Sequence, residues 1–569
     1  GHSNLCEPVV RSRSQAIASV RRFHPHIIQH VKTRSHPAIE KREALHINRL
    51  VRARLLCLQP CVRVTPSSTA KTSASSSAME GLATANVLLD GAPAEATLGS
   101  GELRWRRAAG AGEERALSLE DEVLGVEAKG KEVVVRAFVA SGATSRRTSC
   151  AAGAGAGVKR CRNDFVFEMA DGEGAAAGWA EKLRACLDSF GRPKRLFIFV
   201  NPFGGKKRAK KIYDTEIRPM FEAANVSITM QETECQGHAR EVASSLDLAK
   251  YDGIVCVSGD GVLVEVVNGI LQRTDWEEAI KKPIGVVPAG TGNGMAKSLL
   301  HAARETYSVT NAVFAIIRGR RQPLDVCTIL QGETKFFSVL LMTWGLVADI
   351  DIESEKYRWM GSARFDFYAV LRIMNLRKYC GSICFVPAPG YEAYGEPVKQ
   401  VENPTVECHH QNGSRLCSYQ GPSVQFQSSD WRFLDGPFIA VWINNVPWAA
   451  EDIMAAPEAK FSDGYMDAVI VRGCPRADLL GLLMKMSDGS YVKSPYVTYL
   501  KVRSFQLSPG QLVENPKRGG IIDVDGEVIA RGEGTYGKSQ GNDEMAYGLP
   551  IQLTVHQALA TVYGPNKIR

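Results

Sequence analysis

The chain is 569 residues long and carries 69 Lys and Arg against 61 Asp and Glu, a formal charge of +8. Its length suggests about three or four folding units, and 44% hydrophobic with 23% charged residues excludes collagen-like, coiled-coil and wholly disordered chains. The most apolar stretch, Phe336 to Ala348, is shorter than the ~18 residues a membrane-crossing helix needs.

Residues 1–78 hold thirteen Lys and Arg, three acids and no Met before Met79. This basic leader, read as lying outside the fold, fits translated sequence upstream of a start at Met79; an organelle transit peptide is the alternative. Without it, residues 79–569 carry 56 Lys and Arg against 58 Asp and Glu, so the basic balance belongs to the leader. No motif of nucleic-acid recognition accompanies that charge, and no nucleic-acid partner is expected. The fourteen Cys follow no repeating interval, which speaks for a reducing compartment. Cys408, His409, His410 and Cys417 match no common zinc spacing and read as a polar loop.

From 84 to 190, apolar runs at Leu98 to Trp105, Val123 to Val126, Glu132 to Val139 and Phe165 to Met169 precede a helical stripe of Trp179, Leu183, Cys186, Leu187 and Phe190. Strands closed by one amphipathic helix give the order of a pleckstrin-homology-like module; a family-specific β-rich extension is the plainer reading. From 194 to 325 the pattern alternates. Leu196 to Val200, Val226 to Met230, Ile254 to Val257 and Ile284 to Val287 read as buried parallel strands, with helical stripes between them. Such an open α/β domain binds ligands beyond the carboxyl ends of its strands. From 326 to 569 mainly β runs return, at Phe336 to Leu341, Pro437 to Ile443, Met466 to Val471, Val497 to Leu507, Ile521 to Ile529 and Ile551 to Val555. They predict an antiparallel β-sandwich, with a helix at Leu479 to Met486 and a disordered polar insertion at about 390–430.

Gly532 to Ser539 satisfies the P-loop expression G-x4-G-K-[ST], but Gly541, Asn542 and Pro550 follow where the motif needs a helix. It reads as a loop. The overlapping G-x-S-x-G at Gly537 to Gly541 is rejected on the same ground.

The strands of the α/β domain end instead in small and polar clusters: Asn201-Pro202-Phe203-Gly204-Gly205, Thr233, Ser258-Gly259-Asp260-Gly261, and Gly290-Thr291-Gly292-Asn293-Gly294. Glycines there let backbone N–H groups approach an anion, and a helix N-terminus adds its positive dipole end. Each cluster alone would be a turn; four converging ones predict a polyphosphate site. Asp260 stands between two glycines at a strand tip, where the residues alone leave open a general base, a magnesium ligand or a helix-capping turn.

These motifs, with Glu265-Val266-Val267-Asn268-Gly269, resemble the catalytic domain of the diacylglycerol and sphingosine kinase superfamily. Trp344 to Arg358 resembles the sphingosine kinase signature, and Ser258, where diacylglycerol kinases more commonly have Gly, points the same way. Val264 departs from the His of many animal members and is similar to plant ones. The resemblance implies ATP and Mg2+ as cofactors and a sphingoid long-chain base as substrate. It gives Asp260 the role of general base and Asp351 that of the residue recognising the amino head. Asn201, Gly204, Gly205, Thr233, Ser258, Gly259, Gly261, Gly290, Thr291, Gly292, Asn293, Arg358, Arg364 and Glu527 are implied as nucleotide-binding; a metal ligand is not assigned. A diacylglycerol or ceramide kinase and a non-catalytic lipid-binding protein are the alternatives. A cytoplasmic protein visiting membrane surfaces is expected, with its oligomeric state left open.

Overall fold

The computed structural model describes residues 83–107, 114–140, 158–204, 207–361, 363–398, 418–535 and 543–565. The leader at 1–78, the Cys408 to Cys417 cluster, Gly205, the 536–539 part of the P-loop-like motif and the whole overlapping motif at 537–541 lie outside these residues, as does the Arg358 side chain.

The N-terminal region is a seven-stranded antiparallel sheet of β1 (Ala83–Leu89), β2 (Ala92–Leu98), β3 (Glu102–Arg107), β4 (Arg115–Ser118), β5 (Val123–Lys129), β6 (Glu132–Ala140) and β7 (Arg160–Met169), in the order β4-β3-β2-β1-β7-β6-β5. The expected run Leu98 to Trp105 is a corner between two strands, because Gly99 N–H turns back onto the Glu102 carbonyl at 2.9 Å. Helix α1 (Glu173–Ser189) lays Ala176, Trp179, Ala180, Leu183 and Leu187 across the sheet, a 3.6-residue stripe. This region packs into the next rather than standing off from it. Leu124 and Phe138 are buried in the core of the α/β unit. Arg160 bonds the buried Glu305 carboxylate at 3.0 to 3.2 Å, and the Arg192 guanidinium takes the carbonyls of Leu119, Glu120, Val123 and Leu124.

The α/β unit is built on parallel strands β8 (Arg195–Val200), β9 (Ser227–Glu232), β10 (Gly253–Ser258) and β11 (Ile284–Pro288). They run in the order β11-β10-β8-β9, with β10 and β11 buried along their whole length, as strands covered on both faces must be. The helical stretch 209–223 joins β8 to β9 through a π-helical turn at Tyr213–Ile217. Helices α2 (His238–Ser245), α3 (Asp260–Leu271), α4 (Gly294–Ala302) and α5 (Val309–Arg318) follow.

Beyond them come β12 (Arg321–Gln331), β13 (Thr334–Ser338), β14 (Leu341–Gly345), α6 (Leu346–Glu353), α7 (Ala363–Met374), β15 (Tyr379–Pro387), β16 (Glu396–Pro397), β17 (Arg432–Asp435), β18 (Ala440–Asn444), β19 (Trp448–Ala450), β20 (Ile453–Met454) and β21 (Met466–Val471). Helix α8 (Arg476–Leu483) and strands β22 (Val497–Leu512), β23 (Ile521–Val524), β24 (Glu527–Arg531) and β25 (Ile551–Tyr563) complete the described chain. β25 is antiparallel to β12 and β22, and Val562 near its end pairs in parallel with Ile284 of β11. The α/β and β halves therefore share one sheet, and the boundary expected at 325/326 falls inside β12.

Three expected elements differ from the sequence reading. The run Phe336 to Leu341 breaks because the Asp525 carboxylate accepts the N–H groups of Val339, Leu340 and Leu341 and the Ser338 hydroxyl, at 2.8 to 3.0 Å. Those donors are withdrawn from any ladder. Ile521 to Ile529 is a hairpin folded at Asp525-Gly526, both at positive φ, as a two-residue Asp-Gly turn requires. Within the insertion expected to be disordered over 390–430, residues 390–398 and 418–430 are placed. Buried Tyr419 packs its ring on Trp276, Phe337 and His556, an apolar anchor that a composition count hides.

Candidate active site

The ends of β8, β9, β10 and β11 converge. Asn201, one residue past β8, accepts the N–H groups of Phe203 and Gly204 at 3.0 and 3.2 Å and donates to the Ser258 hydroxyl at 3.2 Å. Its side chain thus closes the first loop and ties it to the tip of β10. Thr233 is buried and anchors its N–H on the Val200 carbonyl at 2.9 Å.

Glycine is required where the third and fourth loops touch. A Cβ on Gly290 would lie 2.3 Å from the Gly259 Cα and N, and one on Gly259 would lie 2.7 Å from the Gly292 carbonyl oxygen. Asn293 closes the fourth loop on itself, accepting the Gly290 N–H at 3.1 Å and donating to its carbonyl at 3.0 Å. Thr291 and Gly292 remain half-buried at the loop's crest. Gly261 faces open space, with nothing within 4 Å of a Cβ placed there, at the amino end of α3 where helix N–H groups suit an anion.

Asp260 is the first residue of α3, yet its carboxylate caps another helix. Its two oxygens accept Gly294 N–H at 2.6 Å and Met295 N–H at 3.1 Å, the amino end of α4. Burial pushes its pKa up to about 7, against the pull of those two bonds, with Asp525 adding to the rise. A carboxylate tuned near neutrality suits proton acceptance at working pH.

The second half of the site comes from the β half. Gly345 turns β14 into α6 at φ +87°, where a Cβ would meet the Ile439 carbonyl at 2.5 Å. α6 and the turn that follows it then present two opposite pairs of acids. Asp351 and Glu355, at i and i+4, face Arg364 of α7, at 3.8 and 3.9 Å. Burial and Glu355 raise the Asp351 carboxyl to about 6, while Arg364 opposes the rise. Asp349 and Glu353, again at i and i+4, point the other way into a buried network. Asp349 accepts from Tyr379 at 2.7 Å and from Arg372 and Arg377 at 3.2 Å; Glu353 accepts from Tyr368 at 2.6 Å and Arg377 at 2.8 Å.

Glu527 joins the two halves. Its carboxylate takes the Gln236 amide at 2.9 Å, in the loop that Glu265 fixes by accepting Gly237 N–H and Ala239 N–H at 3.0 Å. Burial, with Glu265, Glu355 and Asp351 nearby, pushes the Glu527 carboxyl up to about 7. The structure thus gathers Asn201, Gly204, Thr233, Ser258, Gly259, Asp260, Gly261 and the Gly290 to Asn293 loop on one side. Asp351 and Arg364 form the other, with Glu527 between. Sequence reasoning gave no role to Glu265, Gln236, Arg372 or Arg377; the i, i+4 spacing of Asp349 and Glu353 was the one signal that a second acidic face existed. Among the described residues, no group of three or more His, Cys, Asp or Glu is arranged to hold a metal ion.

Two family models match the chain: the diacylglycerol kinase catalytic domain over residues 195–329 and the YegS C-terminal NAD kinase beta sandwich-like domain over 423–536. Sphingosine kinase 2 of Arabidopsis thaliana is 50% identical over 483 residues, covering 84% of this chain and 96% of that one. Sphingosine kinase 1 of the same plant is 50% identical over 481 residues, covering 84% and 96%. Human sphingosine kinase 1 is 35% identical over 351 residues, covering 59% of this chain and 87% of that one.

Proposed function

The chain belongs to the sphingosine kinase family, and on that premise we propose that it transfers the γ-phosphoryl group of ATP to the primary hydroxyl of sphingosine or a related long-chain base. The observation that carries this reading is the Asp260 carboxylate. It is buried beside the glycine loops, held by two backbone N–H groups, and poised near pH 7. In the proposed step the substrate oxygen attacks the γ-phosphorus as its proton passes to Asp260. The bond from that phosphorus to the β,γ-bridging oxygen breaks, and ADP leaves with the electron pair.

Asn201, Gly204, Thr233, Ser258, Gly259, Gly261 and Gly290 to Asn293 would cradle the phosphates through backbone N–H groups, with Gly205 completing the first loop. Arg364, together with Arg358, would offset triphosphate charge through the planar guanidinium fork. Glu527 would reach the nucleotide from the β half, and Asp351 would hold the ammonium of the base. Magnesium would arrive on the nucleotide, since phosphate oxygens and water supply most of its ligands in such sites, and no three-ligand cage stands among the described residues. The buried cluster of Leu346, Ile439, Trp442, Val469, Leu479 and Leu482 lies beside α6 and is the candidate wall for the hydrocarbon tail. No helix among the described residues is long and apolar enough to cross a membrane; a substrate that resides in bilayers calls for transient contact with their surface.

Purified protein with radiolabelled ATP should phosphorylate sphinganine in mixed micelles and leave diacylglycerol and ceramide unlabelled. Preference for either neutral lipid would overturn the substrate assignment. The same residual labelling in wild type and Asp260→Asn, no higher than without protein, would overturn the catalytic one and favour a lipid-binding protein without catalysis.

A further inference from the structure

Strand β23 carries a carboxylate that the proposed reaction does not yet use. Ile522 and Val524 of this strand point into the core of the β half. Ile521 points the other way, against Ala348 and Ile352 of α6. Side chains alternate along a strand, so Asp523 shares the face of Ile521 and is directed at the helix bearing Asp351. It is 1% exposed. Thr343, its cross-strand partner on β14, donates to Oδ2 at 3.2 Å, while Oδ1 is buried with no hydrogen-bond partner.

A buried carboxylate oxygen without a donor is costly, and a second acid beside it makes matters worse. A hydrophobic residue would pack this face of the strand at no such penalty. The charged and polar groups acting on Asp523 are Asp351 from α6, Thr343 from β14, and Asp525 and Glu527 from its own hairpin, three acids and a hydroxyl. Burial and the Asp351 charge push the Asp523 carboxyl well above the ordinary range. Asp351 keeps about a third of its side chain exposed, while the fully buried Asp523 lies close enough to feel its charge. An acidic pair with an unpaired oxygen is completed by a cation with several N–H donors.

We propose that Asp523 is a second carboxylate for the substrate's amino head, so that the ammonium of the long-chain base is held between Asp351 and Asp523. This rests on the sphingoid-base reading above and assigns a further specificity-determining residue to it. Two carboxylates favour a free amine over an amide nitrogen, which has neither the charge nor the three donors, so Asp523 would sharpen discrimination against N-acylated lipids.

The test uses the full chain with sphinganine and N-acetylsphinganine. Asp523→Asn, nearly isosteric, should raise the KM for sphinganine about tenfold, the size of one charge-assisted hydrogen bond, and reduce the preference for free amine over acetylated base by a similar factor. The KM for ATP should not move. Thr343→Val, which releases Oδ2 without adding bulk, should act in the same direction by roughly two- to fivefold and serves as the test if the Asn variant does not fold. Unchanged KM for sphinganine and unchanged amine preference in these variants would overturn the inference while leaving the kinase reading intact. So would a shift confined to the magnesium requirement, which would make Asp523 a metal ligand instead. A wild type inactive on sphinganine would overturn the parent reading, and the inference with it.

Discussion

The two sides of the candidate site are held by different forces. On the phosphate side, loops at the ends of β8, β10 and β11 touch backbone to backbone, and Gly259 and Gly290 approach so closely that neither has room for a Cβ. On the head-group side, residues from α6, α7, β23 and β24 meet through side-chain charge: Asp349 and Glu353 lock the back of α6 to Arg372, Arg377 and Tyr379, leaving Asp351 on its front with Glu355 just past its end. The first side should tolerate altered charge at its rim and fail on added volume. The second should do the reverse.

The largest expected effect lies where the halves meet. Asp260→Asn should lower kcat by about 10²- to 10⁴-fold, the range for loss of a general base, as measured by initial rates at saturating lipid. Because burial raises this carboxyl to about 7, the basic form is present above that pH and is lost as pH falls through it. The wild-type kcat/KM should therefore drop about tenfold per pH unit on the acid side. Glu527, also raised to about 7, is the competing origin of that limb, and Glu527→Gln should leave the limb in place.

Next comes the charge-held side. Arg377→Met removes a cation shared by two buried carboxylates and should cost about 3–5 kcal/mol, read as a shift in the urea midpoint. Stability that does not change would show that α6 is held by packing alone. Gly290→Ala should cost about 1–3 kcal/mol through the forced separation of the two loops and raise the KM for ATP more than that for the base. Equal effects on both substrates would erase the contrast between the two sides. The smallest effect expected is a few-fold rise in KM for ATP in Glu527→Gln, since Glu527 keeps one neutral hydrogen bond to Gln236 in exchange for a charged one.

Legibility followed the same division. The four parallel strands and their terminal clusters could be read from sequence because each is a contiguous apolar run punctuated by Gly, Asn or Asp, and local chemistry fixes the turn. Asp260 was read as a base, a magnesium ligand or the cap of its own helix; it caps α4, a contact no local pattern contains. That Arg364 lies against Asp351 and Glu355 is likewise a contact that no local pattern contains. Asp525 drew no role from its Asp-Gly turn, though its carboxylate ends one strand and begins another nearly 190 residues upstream. Tyr419 was lost in a polar stretch because a single anchoring ring does not alter composition.

The sequence by itself determined the parallel strands, the glycine loops at their ends, and the near-neutral charge of everything after residue 78. These are set by side-chain periodicity and by conformations open to few residue types, both local properties. Only the tertiary structure decided that β25 returns to join the two halves in one sheet, that α6 shows one acidic face to Arg372 and Arg377 and the other to Arg364, and that Asp523 is buried near Asp351 with an oxygen unpaired. Those outcomes depend on contacts between residues tens to hundreds of positions apart, where burial and charge act through space and leave no local pattern in the chain.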